Sequence, residues 1–175
     1  MRLAYLLAAL VLLTITAVAV VASRAGARYD DYLTGLWVGD AAFLERAGLS
    51  DFQLFVAPRP AAGGARGGYL VIADAAGELL ANLPVRVGGG VRTGSALAAA
   101  ASAAHDSATA DLTFVFGGAD SESIDSSAAE PLPPQLTAAL SMADGTLTLH
   151  DRQRVHAFLT KDIAGSAVAV AAYKA

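Results

Sequence analysis

The chain has no cysteine among its 175 residues. No disulfide framework and no thiolate zinc site can form, so stability must come from a hydrophobic core. The absence leaves the compartment open, because a self-sufficient core needs no bridges on either side of a membrane. Histidine is scarce, at three, and tryptophan occurs once. Basic residues are also few. Three of the twelve, Arg2, Arg24 and Arg28, lie in or beside an N-terminal apolar run, which leaves nine against sixteen acidic residues, a net charge of −7 for the remainder. An acidic domain repels phosphate backbones, which argues against nucleic acid as a partner. The hydrophobic fraction of 55% is partly alanine. The core therefore falls to the fewer Leu, Val, Ile, Phe, Tyr and Trp positions.

What is present first is the run Leu3 to Ala22, which holds 20 residues and no charge. As a helix it would span about 30 Å, the hydrocarbon thickness of a bilayer. Tyr5 would lie near one interface, and Thr14 and Thr16 could bond back to helix carbonyls. This predicts a transmembrane anchor over residues 1–24 and a tether over 25–33, followed by one globular domain over 34–175. The rival reading is a cleaved secretory signal. Val21-Ala22-Ser23 and Ser23-Arg24-Ala25 offer small residues for cleavage, although the run exceeds the usual apolar region of about 7–15 residues. Arg24 and Arg28 argue for a domain on the cytoplasmic face, while the short N-terminal flank admits export.

The domain reads as mainly β. Gly35 to Val38 is a first strand. Asp40 is an N-cap for Ala41 to Ala47, with Gly48 at the position after the helix. Asp51 to Val56 alternates, with Phe52, Leu54 and Val56 on one face. Residues 58–68 read as a flexible loop. Tyr69 to Ala73 and Glu78 to Val87 form a hairpin about Asp74 to Gly77, with Pro84 marking an edge strand or a bulge. Residues 96–104 are nearly all alanine and fit helix or strand. Asp111 to Phe116 is the clearest strand, with Leu112, Phe114 and Phe116 inward. An acidic, Ser-rich loop covers 117–131. Asp144-Gly145 joins Leu136–Met142 to Thr146–His150, and Val155–Thr160 and Ala167–Tyr173 supply the last strands. About eight short strands and one short helix predict an antiparallel sandwich or small barrel, preceded by a single N-terminal transmembrane helix.

Constellations that carry chemistry are thin. His150, Asp151 and His156 could meet across a hairpin as metal ligands, but polar residues beside a turn account for them. His105-Asp106 reads as solvated. There is no G-x-S-x-G elbow, and Gly165-Ser166 precedes an expected strand, not a helix. Gly88-Gly89-Gly90 lacks the Lys-Ser/Thr of a phosphate loop. Gly63 to Gly68 resembles one RGG element and reads as a linker. Asp120, Glu122, Asp125 and Glu130 lack the ordered spacing of a calcium loop. These readings assign no catalytic residue, no metal site and no cofactor. The residues singled out are structural: Gly35, Trp37, Phe43, Phe52, Leu112, Phe114 and Gly145. Trp37 is read as a plug for one end of the core.

Two resemblances add to this. The run Leu33-Thr34-Gly35-Leu36-Trp37-Val38-Gly39-Asp40, then Phe43-Leu44, Gly48-Leu49 and Phe52 to Val56, resembles small membrane-anchored proteins encoded by large DNA viruses of algae and protists. Asp144 to Leu149 and Phe158 to Asp162 fit the same group. Leu44 stands where that group would carry cysteine, and the alanine-rich stretch departs from it. The resemblance implies a virion membrane or capsid-associated component without catalytic residues. Gly35-Leu36-Trp37 is also similar to the G-x-W that opens a lipocalin barrel, which implies a tryptophan at the barrel floor and a small apolar ligand. The reading is a membrane-anchored structural or interaction protein, at a virion or host membrane. It contacts the bilayer through Leu3 to Ala22 and contacts other proteins, with no small-molecule substrate. The alternative is a lipocalin-like binder of a hydrophobic ligand, secreted or tethered.

Overall fold

The computed structural model describes residues 14, 16, 30–60, 64–88, 112–117 and 132–174. Eight strands close into one barrel in the order of the chain. They are β1 (Gly35–Gly39), β2 (Leu49–Val56), β3 (Arg66–Asp74), β4 (Leu79–Gly88), β5 (Leu112–Phe116), β6 (Gln135–Ser141), β7 (Thr146–His150) and β8 (Val155–Asp162). Helix α1 (Ala41–Ala47) joins β1 to β2, and helix α2 (Ile163–Lys174) follows β8. Every neighbouring pair is antiparallel, and β8 returns to β1 with Trp37 opposite Lys161. An up-and-down barrel leaves no free sheet edge. The near end of the barrel is where β1 starts, and the far end carries α1.

Period-two alternation decides which side chains fill the barrel. Trp37, Leu54, Leu70, Phe114, Leu147 and Leu149 are each 0% exposed. A side chain lining a water-sized void would expose surface to it, so these six touch none. Phe52, Leu112, Leu136, Leu140, Ala157 and Leu159 belong to the same cluster. Phe43 and Leu44 of α1 pack against it from the far end, and the Phe43 ring meets Phe52 edge-on at 5.5 Å. α1 forms where expected, because the Asp40 carboxylate accepts the Ala42 and Phe43 amides at 3.0 and 3.3 Å. Gly48 ends it with φ +67°.

Several expectations are corrected. Ala167–Tyr173 is not a strand but lies within α2. The Ala/Val alternation mimics a strand, yet the barrel is already closed by β8 on β1 and offers no edge to a ninth. Asp162 accepts the Gly165 amide at 2.8 Å and starts the helix instead. Among the described residues the domain therefore has α2 in addition to the one short helix expected. Residues 30–33, read as tether, are helical, and Leu33 is 1% exposed within the core. Arg66–Gly68, read as part of a linker, are the first residues of β3. Gly68 is required there, since a side chain would strike the Phe55 carbonyl oxygen. Pro84 is on no edge strand. It marks the point where β4 leaves β5, with pairing starting at Val85 and Gly117 donating to the Pro84 carbonyl at 2.9 Å. The loop between β6 and β7 spans 142–145, longer than a two-residue Asp-Gly turn.

Most of Leu3 to Ala22, the stretch 96–104 and the acidic residues 118–131 lie outside the described residues. Thr14 and Thr16 are helical and exposed. Among the described residues no helix is long and apolar enough to cross a membrane.

Candidate functional site

The near end holds the most unusual chemistry in the described chain, two cations turned into an apolar barrel. β1 brings Trp37 inward, and the strand register sets Lys161 beside it. The ammonium lies 4.6 Å from the Trp37 ring centre and 5.6 Å from that of Tyr32. It donates to the Tyr32 carbonyl at 2.7 Å and to the Thr34 carbonyl. Burial lowers its pKa to about 8. The two carbonyls and the ring faces are what keep the charged form tolerable in this partly buried site. Trp37 Nε1 donates to the Leu33 carbonyl at 2.9 Å, and Tyr32 meets Trp37 edge-on at 6.1 Å.

On β3, Arg66 is the counterpart, at 3% exposure. Its Nη1 donates to the Asp30 carbonyl at 2.7 Å and to Thr34 Oγ1 at 3.1 Å. Its Nη2 forms an ion pair with the Asp30 carboxylate, which Arg59 also meets at 3.0 Å. Burial lowers the Arg66 pKa, and Asp30 opposes that shift. Lys161 and Arg66 thus reach from β8 and β3 and pin the turn at 30–34 across the barrel mouth. Gly145, another residue singled out in the sequence, accepts the Lys161 amide at 2.9 Å and belongs to the same end.

Sequence reasoning placed Trp37 here and missed its partners. A signal existed in the strand parity. Lys161 follows the inward Ala157 and Leu159, and Arg66 precedes the inward Leu70 and Ile72, so both cations fall on the interior face. Asp30 offered no such signal. The arrangement is a closure held by charge-assisted hydrogen bonds.

The histidines fare differently. His156 Nε2 meets Asp151 Oδ2 at 2.7 Å at the far end, and this contact is the largest cause lowering the Asp151 pKa. His150 lies instead against Thr137 Oγ1 at 3.2 Å on β6. Among the described residues no cluster of three His, Asp or Glu could hold a metal. Ser166 is 9% exposed, and its hydroxyl takes the Leu36 amide at 2.8 Å, a structural role at the start of α2. A groove of about 480 Å3 on the outer face runs past Thr146, Thr148, Phe158 and Thr160 and is open to solvent.

Charge is divided between the two ends. Asp40, Glu45, Asp51, Asp74, Glu78 and Asp151 stand at the far end against Arg46, Arg152 and Arg154. The near end carries Arg59, Arg66, Arg86, Lys161 and Lys174 against Asp30, Asp31, Asp144 and Asp162. The connection between Gly117 and Leu132, which leaves and re-enters at the far end, contains four more acidic residues and no basic one.

No family model, no curated protein and no solved structure matches the chain.

Proposed function

We propose that this protein is a membrane-tethered interaction module without catalysis of its own. Leu3 to Ala22 anchors it, and a solid barrel presents its acidic end to protein partners. The observation that carries this reading is the filled interior. Trp37, Leu54, Leu70, Phe114, Leu147 and Leu149 are all fully buried, which leaves no room for a ligand beside them and supports a function on the outer surfaces. Small residues complete the packing, since Ala138 and Ala157 point inward at 2% and 0% exposure.

A second reading, a lipocalin-like carrier, draws on the closed meander and on Gly35-Leu36-Trp37 at one end. It would need a cavity toward the far end. Ile72 and Phe116 there keep 9% and 7% of their surface exposed, and Ala81 and Leu83 are only partly buried.

Enlarging a small inward residue separates the two readings. In a packed barrel, Ala157→Leu forces its neighbours aside and destabilises by about 1–3 kcal/mol. Urea melts of the full chain in mild detergent measure this. A neutral or stabilising effect would mean that the interior holds space, and the carrier reading would replace the interaction module.

A further inference from the structure

Helix α2 reverses the usual pattern of a surface helix. Its inner positions are Gly165, Ser166, Ala169 and Val170. Up to Ala172 its exposed positions are Ile163, Ala164, Ala167, Val168, Ala171 and Ala172, two adjacent rows with no polar side chain. Ile163 and Val168 are 79% and 71% exposed. A helix docked on a globular domain normally turns polar residues outward. Here the first charge is Lys174, after Tyr173, at the very end.

Three facts bear on what covers this face. The first is chain connectivity. Asp30 is held at the near end by Arg66, and α2 is held at the same end, where Ser166 takes the Leu36 amide and Tyr173 lies 5.8 Å from Phe55. Only seven residues, 23–29, separate Asp30 from the apolar run ending at Ala22. Such a connection cannot reach beyond about 25 Å. The second is charge. The near end balances its acids, and Arg24 and Arg28 lie only six and two residues before Asp30 in the sequence, while the far end is acidic. The third is composition, since a terminal Tyr-Lys pair suits the boundary between headgroups and hydrocarbon.

We propose that the outer face of α2 lies in the membrane interface, beside the point where Leu3 to Ala22 enters the bilayer. The inference rests on the anchor reading above. The helix differs from an ordinary interfacial helix in one respect: the barrel takes the place of its polar face. The molecule then stands on the lipid with its near end down and its acidic end outward.

The absence of cysteine makes the test direct. Single variants Val168→Cys, Leu12→Cys and Ala76→Cys, the last in the β3–β4 turn at the far end, are labelled with nitrobenzoxadiazole. The labelled full chains are reconstituted into vesicles of phosphatidylcholine and phosphatidylglycerol. Lipid-borne nitroxide should quench the Val168 label at least about twofold more than the Ala76 label, with a blue-shifted emission. A Val168 label quenched only by aqueous iodide, with the Leu12 label quenched by lipid, overturns the docking of α2 and leaves the anchor standing. A Val168 label shielded from both quenchers puts a protein surface on the helix, either a second copy or the chain's own segment, and overturns the proposal equally. A Leu12 label that lipid does not quench removes the anchor reading itself.

Discussion

Lys161 shows how a single side chain can hold the end of a barrel. Its ammonium is partly buried, set over the Trp37 ring and given two carbonyls. Burial lowers its pKa to about 8 from 10.5. Between those values the unfolded chain keeps the proton and the folded chain releases it, so folding stability rises with pH through that window. Denaturant melts at pH 8, 9 and 10 should show a rising midpoint in the wild type, and Lys161→Met should flatten that rise. A wild-type midpoint that falls over the same range would mean that the ammonium is stabilised, not strained, in its site. The sequence singles out the tryptophan, and the structure buries it fully. The cations that hold it were not legible there, because a lysine near a chain end is normally solvated. Only strand parity, applied to Lys161 and Arg66 residue by residue, turns them inward.

Elements were easiest to read where local chemistry and tertiary packing agree. α1 has an Asp cap, a Gly terminator and two apolar residues facing the core, and it forms as read. Asp111 to Phe116 alternates cleanly and gives β5. The failure at Ala167–Tyr173 has a topological cause. Alternating Ala and Val satisfy a strand pattern as well as a helix, and alanine's helix propensity wins once no edge is free to pair. The docking of α2 depends on Gly35, which has φ +120° and has Ser166 Oγ 2.5 Å from where a Cβ would stand. Gly35→Ala should therefore cost about 1–3 kcal/mol in backbone strain alone, with added loss from displacing the helix. Amide hydrogen exchange should show α2 losing protection while β5 to β7 keep theirs. Uniform loss across all strands would instead mean that α2 and the barrel unfold as one unit.

At the scale of the molecule, a mainly β class and a sandwich-or-barrel choice were within reach of the sequence, and the closure was not. Short alternating strands admit many pairings, and the one that closes the ring, β1 with β8, joins residues more than a hundred positions apart. Function follows the same division. The buried side chains form one core, the two ends differ in charge, and the turn at 30–34 and α2 meet at one of them. We propose that this end is held permanently at a bilayer by Leu3 to Ala22. The most direct measurement is the intact mass of the native protein recovered from carbonate-washed membranes. A permanent anchor predicts a membrane-retained chain that begins at Met1 or lacks only Met1. A chain that begins near Arg24 or Gly26 and is found in the soluble wash would contradict it.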